Sequence, residues 1–246
     1  MQWQDEGVVL AVRRYGESSA VVSLLTRAHG RHAGLVRGGA GARARPVWQP
    51  GNAVQVTWRA RLADQLGSLA GELLTPTAAR LLDDPGRLLA LGAACALLET
   101  TLPERDPHPN IYSELQTLLG VLVEQKDWGA AYVRFELALL AELGFGLDLA
   151  ACAVTGQGHD LAYVSPRTGR AVSRHAAGPY AARLLPLPAF LVAQNGDGGV
   201  PDLAQICAGL RLTGAFLRRH LFDATERPMP SARERLLDRL ARGIGA

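Results

Sequence analysis

The chain has 246 residues, 48% apolar and 20% charged, which fits a soluble globular protein of one large domain or two modest ones. No apolar run reaches the roughly 18 residues of a membrane span, and Met1–Glu6 lacks the basic start of a secretory signal. Three widely spaced cysteines, Cys95, Cys152 and Cys207, argue against a disulfide framework and for a reducing cytoplasm.

The net charge of +3 is unevenly placed. Residues 1–80 hold ten arginines and five acids; the remainder holds 16 basic and 18 acidic residues. A positive field confined to the first third suits a module that meets a polyanion.

Five short runs separated by turn residues fill the first 75 positions: Gly7–Tyr15, Ala20–Thr26, His32–Arg37, Ala53–Arg61 and Gly67–Leu74. In the fourth, Val54, Val56 and Trp58 share one face while Gln55, Thr57 and Arg59 share the other, the period of a half-buried strand. Five such strands predict a small closed barrel, of which the five-stranded OB-fold is a common oligonucleotide-binding form. Residues 27–45 carry five arginines, two histidines and no acid. Arginine offers forked donors that match phosphate oxygens, and glycine lets backbone approach a surface closely. From these residues alone, a phosphate-binding loop and a solvated loop without a ligand both stay open.

The period changes near residue 78. Asp83-Asp84-Pro85 marks a helix start, and leucines from Leu81 to Leu98 follow at helical spacing. Pro103, Pro107 and Pro109 interrupt the pattern. Ile111–Leu122 and Trp128–Leu143 predict two further helices, and Leu203–Phe222 and Ser231–Leu240 a final pair. Residues 150–200 are rich in Gly and Pro and predict an irregular insert. The fold class is α+β: an N-terminal five-stranded OB-type barrel over 1–78, then a helical domain over 79–246.

Enzyme signatures are missing. There is no G-x-x-x-x-G-K-[ST] phosphate loop, no G-x-S-x-G elbow and no H-E-x-x-H zinc helix, so no catalytic role is expected. Cys95 and Cys207 sit on apolar helical stretches and read as small core residues. His29 and His32 read as extra donors or plain loop residues rather than metal ligands. Arg218-Arg219-His220 reads either as a solvated helix end or as a basic rim for an acidic peptide.

Three segments carry a family resemblance: GVVLAVRRYGESSAVVSLLTRAHGRHAGLVRGG (7–39) with WQPGNAVQVTWRAR (48–61); ELGFGLDLAACAVTG (142–156) with LAYVSPRTGRAVSR (161–174); and FLRRHLF (216–222) with RPMPSARERLLDRL (227–240). In this order, across nearly the whole chain, they resemble the RecO family of bacterial recombination mediators, in an alphaproteobacterial-like branch. The resemblance implies an OB domain followed by a helical domain. It further implies a cytoplasmic, nucleoid-associated protein that binds single- and double-stranded DNA and anneals strands. The partners it implies are RecR and SSB, through the acidic SSB tail, with an indirect link to RecA.

Two departures stand out. Many family members carry a loop with clustered lysines and serines where this chain has GGAGARARP (38–46), with its charge on Arg43 and Arg45. Many also carry a four-cysteine zinc site in the insert. Here the first pair would fall on Cys152 and Thr155 and the second near Ser173–Ala176, so one thiolate remains. His159 or His175 beside it would not complete a tetrahedral site. The expectation is a degenerate, zinc-free finger at about 150–195, held by Leu161, Tyr163, Leu184 and Leu185, with no cofactor.

The predicted DNA contacts are Arg27, Arg31, Arg37, Arg43 and Arg45, supported by Arg13, Arg14, Arg59 and Arg61. Trp48 and Trp58 are candidate base-stacking aromatics, although Trp58 shares a face with Val54 and Val56 and so reads as core. Arg218 and Arg219 are candidates for the acidic SSB tail. Two other readings compete: a protein-interaction adaptor working through the helical domain, and an OB-type RNA binder.

Overall fold

The computed structural model describes residues 1–62, 65–124, 127–192 and 200–244. By its internal contacts the chain divides into two compact units: Met1–Glu124 with Pro230–Arg233, and Gln125–Met229 with Glu234–Ala246.

The first unit begins with a closed barrel of β1 (Gln2–Tyr15), β2 (Ser19–Thr26), β3 (Gly30–Val36), β4 (Ala53–Arg59) and β5 (Ser68–Thr75), in the order β1-β2-β3-β5-β4. All neighbours are antiparallel except β3 and β5. This is the topology of the expected OB-type fold. Alternating residues build its core: Val9, Val22, Leu24, Val54, Val56, Trp58 and Leu69 are all buried. One difference from the sequence reading is the length of β1, which starts at Gln2 rather than Gly7. Its first half pairs with β4 and its second with β2, with a bulge between Val9 and Ala11 that lets one strand serve both edges.

The barrel closes where β3 meets β5, and this seam is slight. It has one parallel register pair, Leu35 with Ser68, and the Leu35 N–H donates to the Gly67 carbonyl at 3.0 Å. Gly34 makes the approach possible, because a Cβ there would stand 2.7 Å from the Leu69 Cβ.

After the short α1 (Thr77–Arg80) come α2 (Pro85–Thr101) and α3 (Pro109–Glu124). Asp84 caps α2 by accepting from the Gly86 and Arg87 N–H groups, with Pro85 at the first helical position, an arrangement worth about 1 kcal/mol. Cys95 is buried on α2 with its thiol 3.7 Å from the Val9 carbonyl, and burial pushes that thiol up to about 12.

In the second unit α4 (Trp128–Glu142) packs on α6 (Leu203–Leu217). Gly129 lies against Ile206, and the Thr213 hydroxyl donates to the buried Glu136 carboxylate. Between them the insert forms a three-stranded sheet of β6 (Leu161–Val164), β7 (Ala171–Ser173) and β8 (Leu185–Pro186), with the short α5 (Arg174–Ala177) after β7. The expected apolar packing is present: Leu161, Tyr163 and Leu184 pack on a cluster of Cys152, Val172 and Ala177. Leu185 instead extends the sheet by pairing with Val164. The Cys152 sulfur accepts from the Ser173 N–H at 3.3 Å. Thr155, Ser173 and Ala176 supply no further soft ligand, so this donor set does not fit a tetrahedral zinc ion. Among the described residues, no three His, Cys, Asp or Glu side chains converge as a metal site. The last helix, α7, covers Ser231–Arg242.

The expected helix over Leu203–Phe222 changes character at Arg218. Residues Arg218–Phe222 form a π-helical turn, with His220 stacked 4.7 Å from Phe145. Arg219 donates to the Pro166 carbonyl at 2.7 Å, and Arg218 lies 3.6 Å from Glu234.

Candidate nucleic-acid interface

The basic stretch 27–45 is not one loop. Residues 27–29 make the β2–β3 turn, β3 runs through the middle, and 37–48 form a compact turn with helical hydrogen bonds. Within that turn the Ala44 and Arg45 N–H groups both donate to the Gly41 carbonyl, and the Trp48 N–H donates to the Ala44 carbonyl. The turn is fastened at both ends. The Ala40 N–H donates to the Ser18 carbonyl at 2.9 Å, tying it to the β1–β2 hairpin. Asn52, 1% exposed, donates through its amide to the Pro46 and Val47 carbonyls at 2.8 and 3.2 Å. Its side-chain oxygen accepts from the Ala78 N–H at 3.2 Å.

This turn divides the barrel end into two neighbouring grooves that share Trp48. The larger, about 770 Å³, has Arg37, Arg43 and Arg59 at its edge and an apolar floor that includes Val47, Leu69 and Gly71. The smaller, about 450 Å³, lies between Arg14 on the hairpin and Arg45 on the turn. Among the described residues, no aspartate or glutamate lines either groove. All five of these arginines are exposed. Phosphates at these grooves therefore meet cations for which no described carboxylate lies in the groove lining.

The other four predicted arginines stand apart from this cluster. Arg13 is the strand neighbour of Arg14 and faces the opposite way, within 3.7 Å of Glu99. Arg31, with a side chain 14% exposed, donates to the Leu102 carbonyl at 2.9 Å and pairs with Glu99 and Glu104 at 3.6 and 3.4 Å. Ser23 donates to the same Glu99 carboxylate at 2.5 Å. Arg27 is exposed beside acidic neighbours: its N–H donates to the Glu6 carbonyl, and the adjacent Ala28 N–H donates to Asp5. Arg61 is exposed beyond the end of β4.

The aromatic expectations divide as well. Trp58 is core, and its indole N–H lies within hydrogen-bond reach of the Ala33 and Leu66 carbonyls. Trp48 requires correction: at 5% exposure it belongs to the barrel core, with its ring edge over Gly71, and offers no free face for stacking. The turn has no strand periodicity from which the direction of its side chain could be read. Of the two histidines, His29 lies in the β2–β3 turn and His32 on β3. His29 stacks on Trp3 at 4.1 Å and its Nδ1 lies 2.9 Å from Asp5, while His32 is buried edge-on against Trp3 and Trp58, which stack on each other. Burial, and then the nearby Arg105 charge, hold His32 below the usual histidine range. Sequence reasoning missed Thr57 and Ser68, polar residues lining the larger groove, and Tyr15, an exposed aromatic at the hairpin tip. Strand alternation did place Thr57 on one face with Arg59, but did not mark it as a groove residue.

Residues 1–77 match the family described as recombination protein O N terminal, and residues 82–227 match recombination protein O C terminal. A DNA repair protein RecO from Rhodospirillum rubrum is 53% identical over all of this chain and 99% of its own length. One from Rhodospirillum centenum is 53% identical over 97% of this chain and 94% of its own. One from Cereibacter sphaeroides is 51% identical over 98% and 99%.

Proposed function

Because the chain belongs to the RecO family of DNA repair and recombination proteins, we propose that it binds single- and double-stranded DNA through the arginine-lined end of its barrel and anneals complementary strands. The observation that carries this reading is the set of Arg14, Arg37, Arg43, Arg45 and Arg59 around two grooves with no carboxylate among the described lining residues. Phosphate contacts of this kind position a strand without reading its sequence. Two strands neutralised in this way repel one another less, and base pairing then supplies the driving force. No catalytic residue is needed, so the reading is of a non-enzymatic mediator.

In the same reading the protein acts with RecR to help load RecA onto SSB-coated single strands, and its DNA binding associates it with the nucleoid. Arg218 and Arg219, both exposed on the π-helical turn, support a site for the acidic SSB tail in the second unit. No helix among the described residues is long and apolar enough to cross a membrane.

The test is the salt dependence of binding by the full chain. Five phosphate contacts predict a log–log slope of about −3.5 on single-stranded DNA. A slope near zero removes the electrostatic mechanism. Competition with RNA oligonucleotides checks the polymer: preferential binding of RNA overturns the DNA assignment.

A further inference from the structure

The larger groove has a feature that phosphate binding alone does not require. It sits at the barrel seam, where β3 and β5 share one register pair and then separate. Past that point Val36, Val47, Leu69 and Gly71 form an apolar floor, with the Trp48 ring edge behind Gly71. Thr57 and Ser68 add hydroxyls that both donate and accept. Arg37, Arg43 and Arg59 complete the lining. A phosphate gains nothing from an apolar floor. A flat ring carrying a few polar edge atoms does gain from it, and a groove of about 770 Å³ has room for one beside its sugar and phosphate.

We infer that the seam groove receives an unpaired nucleobase of a DNA strand whose flanking phosphates lie on Arg37, Arg43 and Arg59. The inference rests on the DNA-binding reading above and adds to it the form of DNA recognised. A base held in a duplex is stacked and paired, so it reaches the floor only after being unstacked, at a cost of a few kcal/mol. The seam groove is therefore the single-strand-selective part of the interface. The smaller groove, between Arg14 and Arg45, accepts backbone from either form. Base selectivity is weak, because every base has an apolar face and the two hydroxyls suit both donors and acceptors.

The experiment compares three probes on the full-length protein by fluorescence anisotropy: a dT oligomer, an abasic oligomer with the same number of phosphates, and a duplex. The dT oligomer is expected to bind about tenfold more tightly than the abasic one, with similar salt slopes. Ala70, exposed on β5 at the groove, allows the space to be filled without touching an arginine. Ala70→Leu is expected to bring dT affinity down to the abasic level and to leave abasic and duplex binding unchanged. Equal wild-type binding of dT and abasic strands overturns base capture while the backbone reading stands. A salt slope near zero on all three probes overturns both. The wild-type comparison needs no variant, so it decides the matter even if Ala70→Leu folds poorly.

Discussion

Two sets of arginines on one barrel do different work. Arg14, Arg37, Arg43, Arg45 and Arg59 line grooves with no acid among their described lining residues, whereas Arg13 and Arg31 share Glu99, and Arg31 also meets Glu104. In the first set the positive field is available to a polyanion. In the second it is largely spent on the protein's own carboxylates. Adjacent strand positions differ in this way, as Arg13 and Arg14 illustrate: counting basic residues says little until each one's partner is known.

The sharpest way to break the comparison is to remove the exposed set. Replacing Arg37, Arg43 and Arg45 together by alanine should weaken single-strand binding about 100-fold near 0.1 M salt and flatten the salt slope by about 2, measured by anisotropy titration. The fold should survive, since none of the three is buried. Arg31→Ala should do the reverse. It leaves Glu99 poorly compensated in a side chain 15% exposed, and a loss of about 1–3 kcal/mol in denaturant melts is expected with the salt slope unchanged.

Acid should also separate the two regions. His32 has its folded pKa held low, so at pH below about 6.5 the unfolded chain binds the proton more readily than the folded one. Stability should be fully present above that pH and decline as pH falls below it. His32→Phe, which keeps an aromatic ring against Trp3 and Trp58, should reduce that decline in melts across the range. The smallest effect is expected from Arg13→Ala. With a side chain 77% exposed, it should change both stability and DNA affinity by less than about twofold.

Much of this was legible in the chain because strands declare a face. Val54, Val56 and Trp58 gave the inward side of β4, and Asp84-Pro85 gave the start of α2. The early start of β1 was not legible: Gln2–Glu6 is mostly polar, and its half-exposed residues carry no run of apolar alternation. The division of the arginines depended on carboxylates distant in sequence, since Glu99 and Glu104 reach Arg31 from about 70 positions away. The role of Trp48 was hidden for a related reason. Its burial depends on a turn fixed by Asn52, and one amide side chain's hydrogen bonds leave no periodic trace.

The anchoring of that turn bears on how such a surface can change over evolutionary time. Residues 37–48 are held by backbone groups: the Ala40 N–H on Ser18, and the Pro46 and Val47 carbonyls on Asn52. None of these bonds uses the side chains of Arg43 or Arg45. Mutation can therefore exchange the charged residues, lysine for arginine or one position for another, while the loop keeps its path and the barrel its core. A surface built in this way separates the inheritance of shape from the inheritance of charge, and a lineage can retune its grip on a polyanion one codon at a time.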